Sequence, residues 1–87
     1  MPEKIRYTLT AHAVTVMSER EISVTWLERV LANPEQVEPD KIDPELRHAL
    51  GRIPERDDRV LRVVYNKDID PWRVVTAYFD RAMRGKL

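Results

Sequence analysis

An α+β domain, with two N-terminal helices packed on one face of a three- to four-stranded antiparallel sheet, is the fold this chain predicts, and three observations carry it. Apolar residues recur at helical spacing over the first third. Two runs dense in β-branched and aromatic residues, Arg59–Tyr65 and Trp72–Phe79, lie between Asp, Asn and Pro, and such runs read as neighbouring antiparallel strands. The 87 residues fit one domain. At that size folding removes only roughly 60–65% of the unfolded surface from water, which supports one layer of helix on sheet.

The elements follow in order. Tyr7 to Thr10 leads into a first helix over about Ala11–Arg20, with Thr10 as N-cap and Leu9 stapled against Val14. Leu9, Ala13, Val16 and Met17 form its apolar stripe. Ser23 caps a second helix over Val24–Ala32, whose buried face is Val24, Leu27, Val30 and Leu31. Asn33-Pro34 ends it, because the residue before proline disfavours the α region. A short edge strand is expected near Glu35–Glu38, with Pro39 and Pro44 keeping that region from the sheet centre. Leu46–Ile53 is a strand weakened by Gly51, and Pro54–Asp58 turns the chain back into the final meander. The tail from Arg81 forms at most a helical turn.

Composition excludes several chemistries. With no cysteine there are neither disulfides nor thiolates, and a reducing cytoplasm is the expected setting. Residues 1–6 carry no apolar run, and no stretch approaches the ~20 apolar residues of a membrane span, so no membrane partner is expected. Two isolated histidines cannot build a zinc site, and Asp57, Asp58, Asp68 and Asp70 sit where turns favour Asp; no metal and no cofactor is expected. The formal charge is zero, but residues 1–40 hold four basic and seven acidic side chains and residues 41–87 eleven and eight. Eleven of the fifteen basic residues are Arg, which suits planar contacts to phosphate or carboxylate; a GC-rich coding sequence is the alternative reason.

Strand alternation sorts the side chains onto two faces. Leu61, Val63 and Tyr65, with Val75, Ala77 and Phe79 and with Ala49, Gly51 and Ile53, are expected beneath the helices. The other face gathers His48, Arg52, Arg62, Thr76 and Tyr78 among Leu50, Val74 and Trp72. Two readings of that face stand side by side. Its arginines can hold phosphate while Tyr78 or Trp72 stacks on a base and His48 or Tyr78 moves a proton. Alternatively, Arg62 and Arg52 lie flat and pair with Glu or Asp while Tyr78 and Trp72 fill a dimer contact. His12, one residue into the first helix and about 100° off its apolar stripe, is either a surface residue or a proton-handling group beside an anion. Arg20, two turns further on, is either its companion or a helix-end cation.

Several short motifs follow one another along the chain: Thr-Ala-His-Ala (Thr10–Ala13), Met-Ser-Glu-Arg-Glu-Ile-Ser (Met17–Ser23), Val-Leu-Ala-Asn-Pro-Glu (Val30–Glu35), then Arg-Val-Leu-Arg-Val-Val and Val-Val-Thr-Ala-Tyr in the strands. Over about residues 7–80 this order resembles a family of small toxin-like domains, similar in layout to the BrnT and RelE toxins with their barnase, EndoU, colicin and RelE type fold. The resemblance implies a type II toxin with a cognate antitoxin protein as partner and mRNA, free or ribosome-bound, as substrate. It points to His12, Arg20, Arg62, Thr76 and Tyr78; His48 and Arg52 come from alternation alone. RelE-like toxins are usually strongly basic, and this chain departs from them in being neutral. The expected function is metal-independent RNA cleavage, with His12 or His48 as general acid or base, Arg62 and Arg52 on phosphate, and Tyr78 stacking or relaying a proton. The alternative is a non-catalytic domain that holds a protein partner or its own copy as a homodimer.

Overall fold

Two short helices bridge the two edges of a sheet in a computed structural model that describes residues 6–87. The reading of an N-terminus without an apolar run rests largely on residues 1–5, which lie outside the described residues. The sheet has five strands in the order β1-β5-β4-β3-β2: β1 (Tyr7–Leu9), β2 (Gln36–Pro39), β3 (Leu46–Ile53), β4 (Arg59–Asn66) and β5 (Trp72–Phe79). This is an α+β fold as expected, with one strand more than the three or four foreseen. Tyr7–Leu9 pairs parallel to β5, which makes the sheet mixed, whereas the remaining pairs are antiparallel. Three residues carry too little pattern to mark a strand; only the partner supplied by β5 defines it.

Helices α1 (Ala11–Glu19) and α2 (Val24–Ala32) lie between the edge strands β1 and β2 in sequence and cross one face of the sheet, α1 over β5 and α2 over β3 and β4. Both start where their caps place them: the Thr10 hydroxyl accepts from the Ala13 N–H at 3.1 Å and the Ser23 hydroxyl from the Thr25 N–H at 3.0 Å. The tyrosine of β1 ties the layers together. Tyr7 donates to the Glu28 carboxylate at 3.1 Å, and burial together with that partner pushes the phenol pKa up to about 12.

The core lies between helices and sheet, built from Ala13, Met17, Ile22, Leu27, Val30 and Leu31 above and Ala49, Ile53, Leu61, Val63, Tyr65, Val74 and Ala77 below. Two expectations need correction here. Val24 is half exposed rather than buried, because the apolar stripe of α2 centres on Leu27, Val30 and Leu31. The alternation of β5 also breaks: Val64 faces Thr76 but Tyr65 faces Val74, so Val75 is an extra, bulged residue. Val74 is therefore fully buried in the core, and Trp72 packs against that core too, stacked on Tyr65 at 5.0 Å. The bulge has an evident partner. Thr10 donates its hydroxyl to the Val75 carbonyl at 3.1 Å, and its N–H reaches the Val74 carbonyl at 3.0 Å, so the entry to α1 is anchored on the irregular point of β5.

No bulge occurs at Gly51, which pairs regularly with Leu61. Its role is close approach: a Cβ built there would stand 3.1 Å from a methyl carbon of Val30, so glycine lets α2 settle onto β3. The hairpin between β3 and β4 turns through Asp57 and Asp58, both with φ of 58°, a left-handed pair in which Asp is among the better-tolerated residues.

Candidate functional site

The sheet face opposite the helices carries the polar side chains. Regular pairing sets Glu38 against His48 across β2 and β3, Leu50 against Arg62 across β3 and β4, and Arg62 against Tyr78 across β4 and β5. These residues converge in a groove of about 450 Å³ lined by Glu38, Asp40, His48, Arg62, Tyr78 and Asp80, with Pro39, Lys41 and Ile42 along its rim.

Arg62 is the centre of the groove and only 11% exposed. Its Nε donates to Asp80 Oδ2 at 2.9 Å, its Nη2 stands 2.8 Å from the same oxygen as an ion pair, and its Nη1 donates to Glu38 Oε1 at 2.8 Å. The same Nη1 stands 2.8 Å from His48 Nδ1, while His48 Nε2 stands 2.7 Å from Asp40 Oδ1. A guanidinium can only donate, so Nδ1 is the acceptor and the imidazole proton sits on Nε2, donated to Asp40. The histidine is thus oriented at both nitrogens. Burial opposes the Arg62 charge, but the hydrogen bonds to Glu38 and Asp80 outweigh it and hold its pKa above the ordinary value. The Glu38 carboxyl is correspondingly held below the usual range, first by its hydrogen bond from Arg62. Among the described residues no buried side-chain nitrogen or oxygen lacks a partner, so the network is closed.

Asp40 is fixed from the other side. Its Oδ2 accepts the backbone N–H of Asp43 at 2.9 Å and of Ile42 at 3.1 Å. These donors and His48, the Asp43 amide foremost, pull its pKa down to about 2. A depressed carboxylate pKa means stability that is present above the unfolded-state value near 4 and lost as pH falls toward 2. Asp40→Asn keeps an acceptor for both amides but loses the charge. Its stability deficit relative to the parent, followed by urea unfolding, narrows as pH is lowered from about 5 to about 2. A deficit constant across that range rules this assignment out.

The expected site residues divide into two groups. His48, Arg62 and Tyr78 come together in the groove, and Thr76, half-buried opposite Val64, shares their face. Arg52 shares it as well but binds elsewhere: its guanidinium and its N–H hold the Glu35 carboxylate, at 3.0 Å from Nε and 2.6 Å from the amide. Trp72 lies on the helical side, stacked on Tyr65. His12 and Arg20 are exposed on α1, which covers the opposite face, so the sheet separates them from Arg62. Glu38 and Asp40 were not anticipated. Glu38 had a signal, since β2 alternation places it beside His48; Asp40 follows a strand end, where sequence offers only turn chemistry. Among the described residues no cluster of three or more His, Asp or Glu is placed to hold a metal ion.

No helix among the described residues is long and apolar enough to cross a membrane. No curated protein and no solved structure matches the chain. A family model does, described as a domain of unknown function, DUF4258, over residues 9–79. That span runs from the last residue of β1 to the last of β5 and takes in both helices and Arg62 with its partners Glu38 and His48, stopping one residue short of Asp80, and on this match the chain belongs to the DUF4258 family.

Proposed function

We propose that the domain is a toxin-like, metal-independent endoribonuclease whose working groups are Glu38, His48, Arg62 and Tyr78, partnered in the cytoplasm by an antitoxin protein. The observation that carries the reading is a carboxylate, a histidine and an arginine within 2.8 Å contacts in one groove, with Tyr78 paired opposite the arginine. RNA cleavage of this kind needs a base for the 2′-hydroxyl, a cation for the charge that grows on phosphorus and an acid for the departing 5′-oxygen. A phosphate drawing Arg62 Nη1 toward itself would release Glu38 from the contact that depresses its basicity and free His48 Nδ1, until then an acceptor, to take up from solvent the proton it later delivers. Glu38 then takes the 2′-hydroxyl proton, Arg62 steadies the phosphorane, and His48, held by Asp40, delivers a proton to the leaving oxygen. The products are a 2′,3′-cyclic phosphate and a 5′-hydroxyl. The order of motifs resembling BrnT- and RelE-type toxins supports the same reading.

The test is cleavage of single-stranded RNA by purified protein in the presence of a chelator. His48→Ala and Glu38→Gln are each expected to slow it by about 10²–10⁴-fold, and Arg62→Lys, which keeps the charge but loses the fork, by about 10²-fold. Wild-type protein that leaves RNA and translation untouched rules the proposal out. A second reading has its own observation: the charge of Arg62 is already answered by Glu38 and Asp80, and Ile42, 92% exposed, stands on the groove rim. That arrangement also suits a non-catalytic face that receives a protein partner or a second copy. Absence of cleavage combined with a stable dimer that Ile42→Asp dissociates favours it.

A further inference from the structure

A second hollow adjoins the groove at Asp80. It encloses about 340 Å³ and is lined by Arg59, Phe79, Asp80, Arg81 and Arg84, at the end of β4 and β5 and in the turn that follows. Asp80 lines both spaces. Its own charge is spent inward: Oδ2 accepts from Arg62 and Oδ1 from the Ala82 N–H at 3.0 Å. Among the described residues no carboxylate pairs with Arg59, Arg81 or Arg84, in contrast to Arg29, Arg52 and Arg62. Three arginines without a carboxylate partner among the described residues thus line one hollow together with Phe79 and Asp80. The ring is braced: Arg56 stands 5.4 Å from its centroid and Trp26 meets it edge-on at 6.3 Å.

Unpaired guanidinia beside a fixed aromatic ring suit a ligand that brings both a phosphate and a flat base, and the volume is that of a small ligand site. We infer that this hollow is a subsite for one nucleotide of single-stranded RNA next to the scissile position, with Arg81 and Arg84 on its phosphate and Phe79 against its base. The inference rests on the groove being the place of RNA cleavage. It adds where the strand continues: past Asp80, from the Arg62 groove toward the end of the sheet. It also supplies a basic surface that the neutral total charge conceals.

The experiment is fluorescence anisotropy with a labelled, 2′-O-methylated single-stranded RNA of about eight nucleotides, which binds without being cut. Arg81 and Arg84 are exposed, so the double substitution Arg81→Ala, Arg84→Ala leaves the fold intact. It is expected to weaken binding about tenfold or more and to lower the slope of log K against log salt by about 0.7, the value for one phosphate of a single strand. Phe79→Leu is expected to weaken binding while leaving that slope unchanged, since it removes stacking and no charge. Equal affinity and slope for wild type and the double variant overturn the subsite. Duplex DNA bound as tightly as the single strand also overturns it, because stacked bases cannot reach Phe79. The two proposals fail separately. Lost binding in the double variant with no cleavage by wild type leaves a single-strand binding site but removes its place beside a scissile bond, and cleavage with unchanged binding overturns the binding site alone.

Discussion

Arg62→Ala is expected to lower the free energy of unfolding by about 3 kcal/mol, measured by urea denaturation with tryptophan fluorescence as the probe. The loss exceeds that of an ordinary ion pair for a structural reason. Arg62 is 11% exposed, and its removal strands Asp80, 17% exposed, and takes a partner from both Glu38 and His48. Carboxylates left facing one another without a cation carry the desolvation cost that the guanidinium had offset. Arg52 is the internal control. Its side chain is half exposed and its pairing with Glu35 lies in water, so Arg52→Ala should cost far less than Arg62→Ala. Similar losses for the two variants would mean that the Arg62 network contributes no more than surface charge. Because Arg62→Ala unsettles the fold, Arg62→Lys, which keeps the charge, is the variant whose cleavage rate reports on catalysis.

The second large effect concerns the helical layer. Leu27→Ala should cost about 3 kcal/mol, because Leu27 is fully buried between α2 and the sheet and its truncation leaves a cavity that a close-packed core refills only in part. A domain of this size has a total stability of roughly 4–13 kcal/mol, so that one change removes a substantial share. Val24→Ala, three residues earlier on the half-exposed side of the same helix, should stay within about 0.5 kcal/mol. The pair measures the rotation of α2. Equal costs for the two changes would place Val24 in the core after all, against its exposure.

Much of this arrangement can be read locally. Thr10 and Ser23 announce their helices because a hydroxyl accepts an amide two or three residues away, and Asn33-Pro34 ends the second through a clash between neighbours. Alternation along β3 and β4 sets Leu61, Val63 and Ile53 against the helices and leaves Arg62 and His48 on the other side, as the structure has them. Alternation then misled at β5. The bulge at Val75 exchanged Val74 and Trp72 between faces, and its partner is Thr10, 65 residues away, a distance over which no local pattern carries information. The brevity of β1 hid it in the same way: it becomes a strand only when β5 accepts it.

The candidate site follows that division. Residue type and parity alone nominate His48, Arg62 and Tyr78, because strand geometry repeats every two residues and needs no partner to state. The neighbours of Arg62 come from elsewhere in the chain: Glu38 is 24 residues away, Asp80 18 and His48 14. Their choice is an outcome of register and of where two strands end. His12 and Arg20 show the converse, since sequence sets them near the start and end of α1 but cannot say which face of the sheet that helix will cover. By itself, then, the sequence determined the helices, most of the strands and the polar character of one face, all of which depend on steric and hydrogen-bonding rules between near neighbours. Only the tertiary structure decided that Arg62 is held by three side chains, that His48 presents one defined tautomer to it, and that the α1 residues lie beyond the sheet, because each of these depends on contacts between segments far apart in the chain.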